Sequence, residues 1–422
     1  MAVSDRTLVV WSNHSKVGTL KERNNLWAFE YDLLWTLFDL CPMLPRSAGR
    51  IEDGSSKRPI QWFFDNLLPE EGARTLMAAD ARIDEADAFG LLSHFGAESA
   101  GALTLLAPGE SPGQRGRTPL SFSHLSARIK ALPDIPLSQG GSKRMSLAGA
   151  QHKLPIIFEN GMLFEPDAAE PSTHILKPDH SKPEQYPHSA INEYVMMKLA
   201  RVCGLNVPEV KLIRVPEPAY LVKRFDRLSE DDIVKRLHVI DACQLLSLDK
   251  TFKYAQCLPD TLTAIVAQCR AKAETRKLLF DWFVFCLLIG NTDNHLKNLS
   301  FYMSPEGVKI TPHYDLLCTA VYEPDNSWLN ARLEWKIGSI RTLGEVNLAY
   351  LEELGRILKV PPRLQKQTVI RMIKATKQQF PMIYEEVQAS YYPTGVTKEG
   401  ELRLLRQIYH GVIADMAARL EG

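Results

Sequence analysis

The segment Leu287–Ser300, with the sequence LLIGNTDNHLKNLS, places a cluster of polar side chains directly behind an apolar run. That run, Asp281–Ile289 (DWFVFCLLI), is apolar on every side, which predicts a helix that is buried all round. Gly290 follows where a helix C-terminal cap is expected. Four polar residues then come close together: Asp293, His295, Lys297 and Asn298. Such a cluster beside a buried helix indicates a loop with a function.

The spacing from Asp293 to Asn298 is D-x-x-x-x-N, which is the spacing of a protein-kinase catalytic loop. In that pattern the aspartate accepts the proton of a hydroxyl group and the asparagine holds a metal ion. A predicted hairpin over residues 299–311 leads to Tyr314 and Asp315, and kinases bind Mg²⁺ with an aspartate in such a place. The glycine of a D-F-G motif is missing, so a typical eukaryotic-type protein kinase is not expected.

An alternative for each aspartate alone is that Asp293 caps a turn and Asp315 caps a helix, as aspartate often does. The ordered set of Asp293, Asn298, hairpin and Asp315 favours a site for a metal ion and a nucleotide over these separate roles.

Composition sets the broad class of the protein. Hydrophobic residues make up 45% and charged residues 24%, as in ordinary globular proteins. The 50 basic and 50 acidic residues cancel, so no global field attracts nucleic acid or membranes. The 7 cysteines contain no C-x-x-C pair, which argues against a disulfide framework or a zinc site. No signal peptide or membrane span is evident, and we expect a cytoplasmic protein without membrane contact.

Upstream segments offer candidate nucleotide contacts. Residues 145–153 (MSLAGAQHK) form a loop of small residues before a predicted hairpin, and its backbone N–H groups suit phosphates; a plain surface loop is the alternative. Lys177 ends the predicted strand THILKP, where a lysine suits pairing with phosphates. Glu193, placed in the first turn of a predicted helix, is a candidate ion-pair partner of Lys177 or a simple first-turn acid. The segment Val222–Phe225 is the candidate hinge for adenine.

The remaining sequence predicts scaffold. Residues 7–20 form two short strands, residues 61–106 form a helical packing or partner module, and residues 341–422 hold at least three amphipathic helices. One of these, residues 363–377, carries only basic charges. It is either a solvated face or a contribution to DNA contact.

Several motifs together resemble a known family. WFFDNLLPEEGAR, SLAGAQHK, ILKP, LVKRFDR, LLIGNTDNHLKN and HYDLL occur in this order over essentially the whole chain. They are similar to the HipA-type toxin kinases of bacterial HipBA toxin–antitoxin modules. The resemblance implies an α+β, two-lobed, protein-kinase-like fold with a mixed α/β N-terminal lobe and an all-α C-terminal lobe. It predicts an N-terminal subdomain over 1–140, the nucleotide-binding part of the N-lobe over 141–227 and a helical C-lobe over 228–422.

The resemblance also implies a serine/threonine-protein kinase that uses ATP and Mg²⁺, with Asp293 as catalytic base and Asn298 and Asp315 as metal ligands. Ser146 matches a serine that the family phosphorylates on itself. The implied ATP-contacting residues are Ala148, Gly149, Ala150, Gln151, His152, Lys153, Lys177, Lys223, Arg224, Phe225, His295, Leu296, Lys297, Asn298, Tyr314 and Asp315. His152, Lys223, Asn294 and the pair Glu334-Trp335 depart from the family pattern without removing a catalytic group.

The partners implied by the resemblance are a HipB-like helix-turn-helix antitoxin, operator DNA reached through that antitoxin, and a protein substrate. The family precedent for the substrate is an aminoacyl-tRNA synthetase, whose phosphorylation inhibits translation and growth. Two other functions compete with this one. The first is a metal-dependent phosphohydrolase that uses Asp293, His295 and Asp315, and the second is a kinase-like, non-catalytic co-repressor subunit.

Overall fold

The computed structural model describes residues 5–137, 151–231, 233–393 and 398–421. Within these ranges the strands are β1 (Arg6–Ser12), β2 (Ser15–Arg23), β3 (Leu26–Tyr31), β4 (Arg50–Glu52), β5 (Leu103–Leu106), β6 (Arg115–Leu120), β7 (Leu154–Glu159), β8 (Met162–Ala168), β9 (His174–Pro178), β10 (Val210–Arg214), β11 (Pro218–Lys223), β12 (Arg227–Glu230), β13 (Ile233–Arg236), β14 (Val239–Asp241), β15 (Ser300–Ser304) and β16 (Gly307–Ile310).

The α-helices of the same ranges are α1 (Pro59–Asp65), α2 (Glu71–Ala81), α3 (Ala88–Phe95), α4 (Phe122–Lys130), α5 (Ser189–Val202), α6 (Ala242–Leu245), α7 (Pro259–Gln268), α8 (Lys272–Ile289), α9 (Leu348–Ile357), α10 (Pro362–Ala389), α11 (Glu399–Gln407) and α12 (Ala414–Glu421). A π-helical segment, Ile408–Ile413, joins the last two. None of the helices described is both long and apolar enough to cross a membrane.

The chain divides into two compact units, and each is described by itself. Unit 1 comprises residues 1–177, 223–252 and 300–309, and unit 2 comprises residues 178–222, 253–299 and 310–422. Unit 1 begins with an antiparallel five-stranded sheet in the order β4-β3-β2-β1-β5. Alternate residues of β1, such as Leu8 and Val10, are buried, as the period-2 pattern of a half-buried strand requires.

Gly18 on β2 leaves room for the close approach of β3. A Cβ atom at this position would lie 2.4 Å from the carbonyl oxygen of Glu30 and 2.6 Å from the ring of Phe29. Any larger residue would therefore push β3 away from β2. The two strands predicted over residues 7–20 are confirmed as β1 and β2.

Unit 1 also contains the antiparallel run β9-β7-β8-β6 and the small sheet β14-β15-β16. The turn between β7 and β8 has φ values of 49° at Asn160 and 80° at Gly161, and asparagine and glycine are the residues that tolerate such angles in a tight hairpin. The hairpin predicted over residues 299–311 is present as β15 and β16. Both hairpin predictions are confirmed.

A buried network of charged side chains links two distant sequence segments inside unit 1. Its members are Glu98, Arg224, Asp226, Arg227 and Arg236. Glu98 Oε1 accepts a hydrogen bond from Arg227 Nη2 over 2.8 Å, and Glu98 Oε2 accepts one from Arg236 Nη2. Arg224 Nη1 lies 3.3 Å from Glu98 Oε1. Burial opposes ionisation of Asp226, but Arg224 and Arg227 outweigh it and lower its pKa to about 2. The segment around residue 98 is thereby tied to the chain that follows β11.

Unit 2 is mainly helical and centres on α8. Every residue from Leu279 to Ile289 is buried, so the predicted all-round apolar helix is confirmed. The helix begins earlier than predicted, at Lys272, because its first turns are polar and amphipathic. Gly290 ends it with φ of 66°, and a Cβ atom there would lie 2.5 Å from the Val412 side chain.

Three local predictions need correction. Helix α5 begins at Ser189, ahead of the predicted start at Asn192. The segment after residue 236 lies in the range predicted as the helical C-lobe, but it forms β14 and only the short helix α6, because Val239 and Ile240 pair with β15. Strands β12–β16, between residues 227 and 310, fall almost wholly inside that predicted range of 228–422, and unit 1 contains nearly all of them.

Candidate active site

The end of α8 positions the loop that carries the predicted catalytic residues. After Gly290 the backbone N–H of Thr292 donates to Thr319 Oγ1 over 2.7 Å, and the N–H of Asp293 donates to Asn291 Oδ1 over 3.2 Å. Asn291 Nδ2 also donates to the carbonyl oxygen of Asp315 over 3.3 Å. Side chains therefore satisfy the polar backbone here, and the loop is fixed to residues 315–319.

A single 3₁₀ turn, Leu296–Asn298, explains the five-residue spacing of the motif. Because the chain turns back on itself, the side-chain amide nitrogen of Asn298 reaches the carbonyl oxygen of Asp293 and donates to it over 2.7 Å. The amide nitrogen is thus engaged, and the amide oxygen is the atom of Asn298 that suits a hard cation.

The carboxylate of Asp293 lies at the centre of the candidate site. Its side chain is 49% exposed, and the Tyr254 hydroxyl donates to Oδ1 over 3.0 Å. Burial of the carboxyl group and then the charge of Asp315 raise the pKa of Asp293 to about 7, against the opposing effects of Tyr254 and Lys253. A carboxyl group with such a pKa and access to solvent is suited to accept a proton near neutral pH.

Asp315 has a left-handed backbone with φ of 58°, which is uncommon outside glycine and tolerated best by asparagine and aspartate. Burial and the negative charges of Glu193 and Asp315 raise the pKa of Tyr220, a buried residue of β11. The charge of Asp315 thus acts on both Asp293 and Tyr220, which indicates that its carboxylate lies near them in unit 2.

The donor set fits Mg²⁺, which takes oxygen ligands and is commonly held by one or two carboxylates together with substrate phosphates. Asn298 and Asp315 would supply the two protein ligands. In the described part of the chain no group of three or more histidine, cysteine, aspartate or glutamate residues is arranged to hold a metal ion. A site of the kinase type does not need such a group.

Unit 2 contains eight of the predicted site residues: Glu193, Asp293, His295, Leu296, Lys297, Asn298, Tyr314 and Asp315. The Tyr314 hydroxyl donates to the carbonyl oxygen of Lys297 over 2.8 Å. Leu296 is fully buried, so its side chain belongs to the core. Glu193 is buried within α5 beyond its first turn, so the alternative of a simple first-turn acid is wrong.

Unit 1 holds the other described candidates. Gln151, His152 and Lys153 immediately precede β7, and Lys177 is a buried residue of β9. Lys223 is exposed at the end of β11, and the Phe225 carbonyl oxygen accepts from Tyr302 over 2.9 Å. The Arg224 side chain belongs to the buried charged network, so the predicted hinge contact at this residue would be made by its backbone. Ser146, Ala148, Gly149 and Ala150 lie outside the described residues.

Sequence reasoning missed residues that support the loop from other parts of the chain. Trp335 Nε1 donates to the carbonyl oxygen of Asn294 over 2.6 Å, and the carbonyl oxygen of Lys253 accepts from the N–H of Leu296 over 3.3 Å. Tyr254, described above, is the third. Of these residues, the sequence marks only Trp335, through the departure of the pair Glu334-Trp335 from the family pattern. In the structure this tryptophan supports the loop through its hydrogen bond to Asn294.

Comparisons with known proteins agree with this architecture. Residues 8–106 match the model of the HipA N-terminal domain, and residues 145–382 match that of the HipA-like C-terminal domain. A protein of Sinorhizobium fredii named "Putative kinase Y4mE" is 32% identical over 92% of this chain and 94% of its own length. The serine/threonine-protein kinase toxin HipA of Shewanella oneidensis is 30% identical over 68% of each chain.

A solved structure extends the similarity to the fold. A chain in the complex of HipA, HipB and operator DNA from Shewanella oneidensis MR-1 has a TM-score of 0.81 and 26% identity. The match covers 98% of this chain and 97% of that one, which confirms the predicted α+β, kinase-like fold. Because both family domains are present in order and the fold is shared over nearly the whole length, the chain belongs to the HipA family of toxin kinases.

Proposed function

We propose that this protein transfers the γ-phosphate of ATP, with Mg²⁺, to a serine or threonine hydroxyl of another protein. The observation that carries the proposal is the hydrogen bond from the Asn298 amide to the Asp293 carbonyl oxygen, which joins the residues predicted as metal ligand and proton acceptor. The names of the family's members support kinase activity, and the paired residues supply the groups that this chemistry uses.

The predicted catalytic and metal-binding residues of unit 2 have distinct roles in this reaction. Bound ATP with Mg²⁺ supplies the transferable phosphoryl group and neutralises charge on the phosphate oxygens. Asp293 accepts the proton of the attacking hydroxyl, which is worth roughly 10²–10⁴-fold in rate. Asn298 and Asp315 hold the cation. Lys177, Gln151, His152 and Lys153 remain predicted phosphate contacts, and Lys223, Arg224 and Phe225 remain predicted hinge residues.

The test uses γ-labelled ATP with Mg²⁺, the parent protein and Asp293→Asn. We expect label on protein with the parent, and a loss of roughly 10²–10⁴-fold with the variant. Asp260→Asn, which changes an exposed acid at the start of α7, serves as the matched control and should act as the parent does. Transfer by Asp293→Asn at the parent rate contradicts the assignment.

The same experiment separates the competing functions. Release of label as free phosphate in place of label on protein would identify a metal-dependent phosphohydrolase. Label in neither form would identify a non-catalytic co-repressor subunit. The residues predicted to be catalytic are all present in the sequence, which favours the kinase.

We also propose that the protein is a toxin neutralised by a HipB-like helix-turn-helix antitoxin, through which it reaches operator DNA. The relative solved in complex with HipB and operator DNA supports this assignment. The chain has zero net charge, so by itself it should bind DNA only weakly and without sequence preference at physiological salt. Gel shifts with and without the antitoxin test the proposal, and tight specific binding by this chain alone would refute it.

For the protein substrate we propose an aminoacyl-tRNA synthetase, whose phosphorylation would inhibit translation and growth. Label transferred to a lysate band, identified by mass spectrometry, gives the target. A fall in aminoacylation by the phosphorylated target would support the proposal, and unchanged aminoacylation would oppose it.

We further propose that phosphorylation of Ser146 by the enzyme itself limits its activity. A phosphate adds about −1.5 to −2 charge at pH 7, which would repel the ATP phosphates near the loop Ala148–Lys153. Peptide mapping after incubation with Mg²⁺-ATP should locate phosphate on Ser146, and the phosphorylated protein should bind ATP poorly. Normal ATP binding by that form would contradict the mechanism.

A further inference from the structure

Both contacts that the described residues make with the Asp293 carboxylate are to the same oxygen. The Tyr254 hydroxyl donates to Oδ1 over 3.0 Å, and His295 Nε2 lies 3.9 Å from that atom. Oδ2 accepts no hydrogen bond from the described residues. The two oxygens are therefore unequal, and Oδ2 is the one left for an incoming hydroxyl group.

Tyr254 is attached to the catalytic loop by more than its hydroxyl. The preceding carbonyl oxygen, of Lys253, accepts from the N–H of Leu296 over 3.3 Å. The Tyr254 ring meets the His295 ring edge-on, with centroids 4.9 Å apart and an angle of 77°. The backbone, the ring and the hydroxyl each contact a different residue between 293 and 296, so Tyr254 and the loop are held in one arrangement.

The residues behind Tyr254 are fixed as well. The Cys257 N–H donates to the Tyr254 carbonyl oxygen over 3.0 Å, and Cys257 Sγ lies 3.1 Å from the Lys253 carbonyl oxygen. The Cys257 carbonyl oxygen in turn accepts from the N–H of Lys336 over 3.1 Å. Tyr254 therefore presents its hydroxyl from a tight, supported turn, which is the arrangement that a precisely placed side chain needs.

We propose that Tyr254 is a positioning residue for the reaction assigned above: its hydroxyl fixes Oδ1 of Asp293, so that Oδ2 faces the acceptor hydroxyl. A phenol suits this task because it is a neutral donor. It orients the carboxylate through a directional hydrogen bond and adds no formal charge to the site. Without the hydroxyl, the half-exposed Asp293 side chain can turn about its terminal torsion, and productive alignment becomes less frequent.

This inference rests on the proposed function, and its first test is kinetic. Tyr254→Phe removes the hydroxyl and keeps the ring against His295. With γ-labelled ATP and casein as a generic acceptor, we expect kcat to fall by roughly 10-fold, because misplaced catalytic groups cost rate. ATP affinity measured by calorimetry should stay at the parent value. Tyr409→Phe, which removes a hydroxyl bonded to the Lys377 carbonyl oxygen over 3.3 Å, is the matched control and should match the parent.

The second test does not depend on activity. Urea unfolding of the parent, Tyr254→Phe, Asp293→Ala and the double variant forms a double-mutant cycle. Because the hydrogen bond joins the two side chains, the shifts in unfolding midpoint should not add. Additive shifts, or a Tyr254→Phe variant with parent kcat or with a loss confined to ATP affinity, would overturn the inference. An inactive parent with a non-additive cycle would refute the kinase assignment and leave the contact supported.

Discussion

The side-chain amide of Asn298 donates to the backbone carbonyl oxygen of Asp293 over 2.7 Å. The residue assigned to the cation therefore also fixes the backbone of the residue assigned to the proton. A substitution at Asn298 should affect both functions, and the two can be separated by the choice of replacement.

Asn298→Ala removes the amide donor and the oxygen ligand, whereas Asn298→Asp keeps an oxygen ligand, loses the donor and adds a negative charge. We expect Asn298→Ala to raise the Mg²⁺ concentration needed for half-maximal phosphotransfer by at least about 10-fold. Asn298→Asp should lower the maximal rate, with a smaller change in that Mg²⁺ concentration. Mg²⁺ titration of phosphotransfer measures both. Asn206→Ala, at an exposed asparagine, is the control. An identical Mg²⁺ titration for Asn298→Ala and the parent would contradict the prediction.

Asp315→Asn keeps a residue that tolerates φ of 58° and removes the charge. ATP affinity in the presence of Mg²⁺ should fall, whereas affinity in EDTA should change little, because only the first depends on the cation. Calorimetry under both conditions decides the question, with Asp260→Asn as control. A variant whose ATP affinity responds to Mg²⁺ as the parent's does would argue against Asp315 as a ligand.

Glu98→Gln should destabilise the protein strongly, because it removes one of two carboxylates that balance the buried guanidinium groups of Arg224, Arg227 and Arg236. Loss of one partner from a buried ionic network costs about 3–5 kcal/mol. The matched change Glu30→Gln breaks an exposed pair with Lys21 and should cost at most about 1 kcal/mol. Urea unfolding compares the two, and equal midpoints would disprove the role of the network.

Two buried histidines should make the fold sensitive to acid. Burial lowers the pKa of His238 and of His313 to about 4, against the weaker opposing effect of a backbone hydrogen bond at each. An unfolded histidine has a pKa near 6.5, so between about pH 6.5 and 4 the unfolded chain binds protons that the folded chain does not. The contribution of the two neutral histidines to the free energy of unfolding should be fully present above about pH 6.5. It should be lost as the pH falls toward 4, by roughly 3 kcal/mol for each histidine.

Unfolding measured at pH 7.5, 6 and 5 tests this dependence. His238→Gln, which keeps a donor for the Leu40 carbonyl oxygen, should reduce the slope of stability against pH. His14→Gln, at an exposed histidine, should leave the slope unchanged. A His238→Gln protein with the parent slope would show that His238 does not contribute.

Local patterns predicted much of the fold. The all-apolar run before Gly290 is α8, and the turn residues Asn160 and Gly161 and the segment after Leu299 mark the two hairpins. The start of α8 was missed because its first turns are polar, and the strand β14 was missed because its residues take their structure from neighbours distant in sequence. Val239 and Ile240 form a strand because they pair with Tyr302 and Phe301.

The site was predicted in the same uneven way. Asp293, Asn298 and Asp315 follow from spacing along one short segment, and the structure brings them into one unit. Tyr254 and Trp335 reach the loop from 39 and 41 residues away, and a lone tyrosine or tryptophan carries no spacing pattern. Arg224 was assigned to the nucleotide because it lies in the hinge segment, and only three-dimensional contacts show that its side chain faces Glu98 and Asp226.

The network around Glu98 has a consequence for how substitutions in this protein combine. Glu98 lies in the matched HipA N-terminal domain, whereas its arginine partners lie in the matched C-terminal domain. A change at Glu98 alone would bury bases without their acid, and a change of the arginines alone would bury an acid without its bases. Substitutions in these two sequence regions are therefore energetically coupled, and a stable replacement of Glu98 should require a matching change at Arg227 or Arg236.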